Sequence, residues 1–180
     1  MNFLTDSSID VLLSKQKSFF ASNETKSISF RRSALKNLLN TCLKYEKDIL
    51  KALQQDLRKS PEEAFLTEFS FVVSEIKLHL KNLNKWSASK RISTPLILRP
   101  SRSRIYYEPL GVNLVIAPWN YPFLLLFSPL IGVLSSGCCA VLKPSADSKH
   151  TAEVMDKIIR ETFQDEHISI VHGEKKENQI

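Results

Sequence analysis

The chain has 180 residues, 43% of them hydrophobic, enough for one globular unit with a real core and too few for several. Its charge is uneven: residues 1–108 are net +8 and residues 109–180 net −2, within an overall +6. Three cysteines, Cys42, Cys138 and Cys139, form no C-x-x-C pair and have no histidine at metal-ligand spacing, which argues against a disulfide framework and against a metal site. The first residues lack a basic stretch leading into an apolar one, so no signal peptide is expected and a reducing cytoplasm fits best.

Residues 8–21 carry Ile9, Leu12, Leu13, Phe19 and Phe20 at helical spacing, and 28–57 continue with Leu35, Leu38, Leu39, Cys42, Ile49, Leu50, Leu53 and Leu57. Ser60-Pro61-Glu62-Glu63 is a helix start, with Ser60 as cap, Pro61 at the first helical position and Glu63 placed to bond back to the cap. Phe65, Phe69, Val72, Ile76, Leu80 and Leu83 extend one face of that helix to Trp86. Residues 88–104 contain Pro95, Pro100 and the apolar Leu96-Ile97-Leu98, and read as an extended linker or hairpin arm. The span from Lys85 to Arg104 has six basic residues and no acidic one, an electrostatic lure for anions. Only Trp86 lies nearby as a stacking residue, so nucleic-acid binding is not expected and a solvated arm is.

After the arm the pattern changes. Ile105-Tyr106-Tyr107, Val112–Ile116, Cys139–Leu142 and Ile168–Val171 read as strands, Phe123–Ser135 as a buried helix and Ser148–Phe163 as an amphipathic one. This alternation predicts an α/β fold: N-terminal helices, then the first half of a Rossmann-like, doubly wound parallel sheet. The expected organisation is a helical region 1–87, a basic arm 88–108, a partial dinucleotide-binding unit 109–173 and a polar tail 174–180. With half a sheet, unpaired strand edges, association through them and an uncovered Phe123–Ser135 helix are expected. The uncharged run 109–142 permits a membrane-associated alternative. Pro118, Pro122 and Pro129 argue against a continuous spanning helix and for a strand–turn–helix passage.

Two sharp turns close two of the apolar strands: Ile116-Ala117-Pro118-Trp119-Asn120-Tyr121-Pro122 and Lys143-Pro144-Ser145. Ligands of open α/β sheets bind in the crevice beyond the carboxyl ends of strands, where these turns lie. Taken with Gln55–Ser60, Glu63-Ala64, Thr67-Glu68, Asn82–Trp86, Glu108–Val112 and Pro129–Gly132, the motifs resemble the aldehyde dehydrogenase family, its class 3 and fatty-aldehyde branch in particular. That family oxidises aldehydes to carboxylic acids with hydride transfer to NAD or NADP. The resemblance implies Asn120 as a side-chain donor to the oxyanion. It also implies that the backbone of Ile116, Ala117, Pro118 and Trp119 lies along the dinucleotide, and that Lys143 bonds a ribose of its adenosine half.

Departures from the family accompany the match. Ala146 stands where a glutamate commonly contacts the ribose, leaving NAD against NADP open. Cys138 follows Gly137 where asparagine is usual, and Glu174 follows Gly173 where a second glycine is common. The family's later Gly-Ser turn, general-base glutamate and cysteine loop are not found in the 180 residues, and Cys138 and Cys139 sit in an apolar strand suited to packing. The expectation is therefore the front portion of an NAD(P)-dependent aldehyde dehydrogenase, truncated and inactive by itself, with weak or no cofactor binding. Two partner expectations accompany it: a homo-oligomer, or a non-catalytic module docking to a full-length paralogue.

Overall fold

The computed structural model describes residues 6–173; the polar tail expected at 174–180 and the first five residues lie outside them. Helix α1 (Asp6–Ala21) leads through a short 3₁₀ turn into α2 (Ile28–Lys44) and α3 (Glu46–Leu57). The apolar spacing over 28–57 is that of one long helix, but the chain bends at Tyr45 (φ −96°, ψ 13°), which closes α2 and opens α3. The bend serves packing: α2 runs against α5, α6 and α7, while α3 turns to lie along α7. Lys44 and Tyr45 then reach Glu161 of α7 at 2.6 and 2.8 Å.

Ser60 starts the next helix as the sequence predicts. Its hydroxyl accepts from the Glu63 amide at 3.1 Å, and Pro61 occupies the first position. The helix begins as α4 (Pro61–Ala64), widens into one π turn over Phe65–Phe69, and continues as α5 (Ser70–Ser87). The wider turn carries both Glu68 and Phe69 inward, and both are buried.

The arm is a hairpin: β1 (Lys90–Ile92) pairs antiparallel with β2 (Ser103–Ile105). Tyr106 and Tyr107, read as strand from their composition, lie outside it and are exposed, because the β1 partner runs out at Lys90. Strands β3 (Val112–Ile116), β4 (Cys139–Lys143) and β5 (Ile168–Ile170) form a parallel sheet in that order. They are joined by α6 (Pro122–Ser136) and α7 (Lys149–Thr162). This is the expected half of a doubly wound sheet.

Alternation across the strands divides the core. Val115, Ala140, Leu142, Ile168 and Ile170 join one apolar cluster with α2, α5, α6 and α7. On the other face Ser169 is held by Gln16 of α1, whose amide nitrogen also donates to the Ala140 and Asp165 carbonyls at 2.9 and 3.0 Å. That cover leaves Leu114 and Ile116 of the β3 edge strand exposed.

Helix α6 is not the uncovered element that its apolar composition suggested. Phe123, Leu126, Phe127, Leu130 and Ile131 are fully buried, because the N-terminal helices α2 and α5 pack over it. The helix also runs through Pro129. A proline inside a helix costs about 3 kcal/mol, while each fully buried large apolar side chain returns about 1.5–3 kcal/mol, so burial decides. No helix among the described residues is long and apolar enough to cross a membrane.

Gly137 closes α6 in the left-handed region, at φ 84°. A Cβ there would stand 2.6 Å from both the Thr25 carbonyl oxygen and Arg31 Nε, which are themselves bonded at 2.8 Å. Gly137→Ala is therefore expected to lower unfolding free energy by at least about 2 kcal/mol, combining left-handed strain and a backbone clash. Urea denaturation followed by far-UV circular dichroism checks this; an unchanged midpoint would contradict it.

Candidate functional site at the carboxyl edge of the sheet

The carboxyl ends of β3 and β4 finish in register, Ile116 opposite Lys143, with the Ala117 amide donating to the Lys143 carbonyl at 3.1 Å. The two sequence-predicted turns are thereby brought together at one edge. Beyond Ala117 the chain turns through Trp119-Asn120-Tyr121 and enters α6 at Pro122. Asn120 is exposed, and its side-chain amide has no hydrogen-bond partner among the described residues. Ile116 and Trp119 are exposed apolar surface beside it. Lys143 is half-buried and without an ion pair among the described residues. Ala117 is buried and its N–H is committed to β4, so that group is closed to a ligand.

The turn is held by groups whose function the sequence did not disclose. Glu68 is fully buried. One of its carboxylate oxygens accepts from the Phe123 and Leu124 amides at 3.0 and 3.2 Å, and the other from Lys59 Nζ at 2.6 Å. It does the work of an N-cap for α6 from another helix. The cap position itself is Tyr121, which has no side-chain cap bond, and Pro122 has no N–H to satisfy. Lys59 also donates to the Asn120 carbonyl at 3.4 Å, and its ammonium sits 3.9 Å from the centre of the Tyr121 ring. Phe69 stacks on Phe123, and Phe127 packs tilted against Phe123, which shields the pair from water.

Helix α7 is gripped in the same way. Asp56, at the end of α3, accepts from the His150 and Thr151 amides at 3.2 and 2.7 Å. It also accepts from the Thr151 hydroxyl at 2.8 Å and lies 2.8 Å from His150 Nδ1. Buried Ser148, just before α7, donates to the Trp119 carbonyl at 3.2 Å and ties the second turn to the first. The signal for Glu68 was present: it falls on the apolar stripe, three residues after Phe65 and four before Val72. Asp56 had no such signal, since its partners lie more than ninety residues away.

These caps bear on phosphate binding. Helix N-termini are ready anion sites, but protein carboxylates already take the Phe123 and Leu124 amides of α6 and the His150 and Thr151 amides of α7. Those four amides are closed to a pyrophosphate.

Cys138 and Cys139 lie at the opposite end of β4, where Cys139 pairs with Val112. Four residues of strand put them about 13 Å from Lys143. Both are buried, and burial raises the Cys139 thiol to about 11. Burial pushes the Cys138 thiol up as well. Hydrogen bonds from Ser136, the Gly111 and Leu110 amides and the Asn113 side chain outweigh it and hold that thiol below its ordinary value. Neither cysteine reaches the Asn120 edge. Among the described residues no cluster of histidine, cysteine, aspartate or glutamate is arranged to hold a metal.

The profile of the aldehyde dehydrogenase family matches residues 3–179. The chain belongs to that family. It is 44% identical over 163 residues to the 4,4'-diaponeurosporen-aldehyde dehydrogenase of Staphylococcus aureus, an alignment covering 91% of this chain and 36% of the relative. It is 39% identical over 160 residues to an aldehyde dehydrogenase of Craterostigma plantagineum, covering 89% and 33%. Aldehyde dehydrogenase family 3 member B1 of Bos taurus is 35% identical over 165 residues, covering 92% and 35%. The chain thus spans about a third of the length of the curated relatives it matches. Among solved structures, a substrate-bound Staphylococcus aureus AldH superposes with a TM-score of 0.92 at 41% identity, over 99% of this chain and 38% of that one. A succinic semialdehyde dehydrogenase of Streptococcus pyogenes, in complex with NADP+, superposes at 0.84 with 15% identity, a likeness of fold. It covers 99% of this chain and 38% of that one.

The Asp56 clamp has a pH signature. Burial pushes its carboxyl up, but the bonds from Thr151 and His150 outweigh this and hold it below the ordinary aspartate range. A depressed folded-state value means that the stabilisation is present above the unfolded value near 4 and is lost as pH falls through the lower folded one. Asp56→Asn is expected to cost about 1 kcal/mol at pH 7. Its deficit against the parent should shrink as pH drops below about 4. Denaturant titrations at pH 7 and in the acid range check this; a deficit independent of pH would show that the charge is not what matters.

Proposed function

We propose that these residues supply the oxyanion donor and one wall of the cofactor site of an NAD(P)-dependent aldehyde dehydrogenase. The observation that carries the reading is the Asn120 amide: exposed, unpartnered among the described residues, and mounted on a turn anchored to a buried ion pair. A neutral donor held in place before reaction stabilises developing negative charge without reorganising, which in other enzymes is worth about 3–4 kcal/mol. When a thiolate adds to an aldehyde carbonyl, the charge grows on oxygen, and Asn120 is the group here suited to receive it.

Exposed Ile116, Pro118 and Trp119 fit the flat apolar part of a dinucleotide, and Lys143, free of an ion pair among the described residues, fits a ribose hydroxyl. NAD(P), when bound, accepts the hydride. Ala146, exposed next to this edge, brings no carboxylate of its own, but Asp147 beside it is also exposed, so NAD and NADP both remain open to this site. The caps on α6 and α7 leave the pyrophosphate unsupported by these helices, so cofactor binding to the 180-residue polypeptide is weak. With no thiol at the Asn120 edge, that polypeptide does not oxidise aldehydes.

A second reading is association with another copy or with a full-length relative. It is favoured by exposed Leu114 and Ile116 on an edge strand and by Leu96 and Ile97 on the arm. Concentration-dependent mass in sedimentation would support it, and a monomer at all concentrations would end it.

Two activity measurements test the main reading. The purified chain should show no aldehyde-dependent reduction of NAD or NADP beyond that of a Cys138→Ala/Cys139→Ala variant. Grafted in place of the homologous third of the Staphylococcus aureus enzyme, it should support turnover. Asn120→Ala in that hybrid should then lower kcat about 10²–10³-fold with little change in KM. A hybrid with parental kcat after Asn120→Ala would refute the oxyanion role.

A further inference from the structure

Lys59 and Glu68 lie outside the turn that bears Asn120, and neither reaches the exposed edge. Apart from their bond to each other, every polar contact they make among the described residues nevertheless points at that turn or at the start of the helix behind it. Glu68 binds the Phe123 and Leu124 amides, and Lys59 binds the Asn120 carbonyl and covers the Tyr121 ring. The pair therefore fixes the main chain on both sides of the Asn120 side chain. Because the Asn120 amide has no bond of its own among the described residues, that main chain is what fixes the point and direction from which the side chain leaves the backbone.

We propose that Lys59 and Glu68 are positioning residues for Asn120: the buried pair, and no contact of the Asn120 side chain, sets where its amide donor points. This rests on the reading of Asn120 as an oxyanion donor, and it adds that the donor is aimed from the π turn between α4 and α5 and from the loop just before the Ser60 cap. The role differs from simple stabilisation. A merely structural pair would lower the stability of the whole molecule when broken and leave Asn120 unchanged in whatever remains folded. A positioning pair loosens Asn120 within the folded molecule.

The test uses the full 180-residue chain, labelled with ¹⁵N, and needs neither aldehyde nor cofactor. In Glu68→Gln, the Phe123 and Leu124 amides should exchange with solvent about tenfold faster or more, the loss of a charge-assisted hydrogen bond each. The Asn120 side-chain amide should pass from one sharp pair of signals to broadened or multiple ones. Amides of Leu35, Ile76 and Ile158, buried away from the turn, should keep their protection. Lys59→Met should disturb Asn120 similarly, and Lys59→Arg, which retains a charged donor, should restore the single state.

Should Glu68→Gln fail to fold, the Lys59→Met and Lys59→Arg pair decides alone. A sharp, unshifted Asn120 side chain in Lys59→Met would overturn the proposal. So would loss of protection spread evenly over all buried amides. Loosened Asn120 signals here, together with parental kcat for Asn120→Ala in the hybrid enzyme, would uphold the positioning and refute the oxyanion role. The reverse combination would uphold Asn120 and refute the pair.

Discussion

A carboxylate taken fully out of water must be satisfied on both oxygens or it destabilises the fold, and Glu68 is satisfied by three partners from two directions. Removing one partner of such a buried pair costs about 3–5 kcal/mol. The constraint works outward. Glu68 can keep its bonds only if α6 begins where it does, so the N-terminal helices and the α/β unit are registered to each other at this point. The Phe69–Phe123–Phe127 ring cluster lines the same contact with apolar surface. That surface keeps the charges dry and the hydrogen bonds strong.

Asp56 repeats the arrangement one helix later. The segment from Asp56 to Glu68 thus clamps the first turns of both crossover helices, α6 and α7, at the carboxyl edge of the sheet. Helix dipoles favour negative charge there, and here the charge comes from the protein. The amides that elsewhere would bind a phosphate are spent on holding the fold. What remains open at the edge is a neutral amide, an unpaired lysine among the described residues and an apolar strip.

Much of this was legible in the chain. Helical spacing located α2, α3 and α5, the Ser60-Pro61 signal marked a helix start, and apolar runs between proline-bearing turns gave the three parallel strands. The ordered set of motifs from Gln55–Ser60 to Lys143-Pro144-Ser145, with the Trp119-Asn120-Tyr121-Pro122 turn among them, carried the resemblance to the family. Three features were read differently. The pattern over 28–57 concealed the bend at Tyr45, because the bend follows from where α3 and α7 meet, and periodicity reports only which face is apolar. Tyr106 and Tyr107 have strand-forming side chains, but a strand needs a partner and β1 ends before them. Helix α6 looked uncovered because its cover comes from residues about fifty to ninety positions earlier.

The sequence alone determined the element types and the turn residues, since these depend on local backbone preference and on apolar spacing within a few residues. It also placed Asn120 and Lys143 at strand ends. Only the tertiary structure decided what holds Asn120 in place. The groups that do so, Lys59 and Glu68, stand sixty-one and fifty-five positions from their partners at Asn120 and Phe123. A buried charge is tolerated only where distant chain segments converge to bond it, and that convergence is a property of the packed molecule.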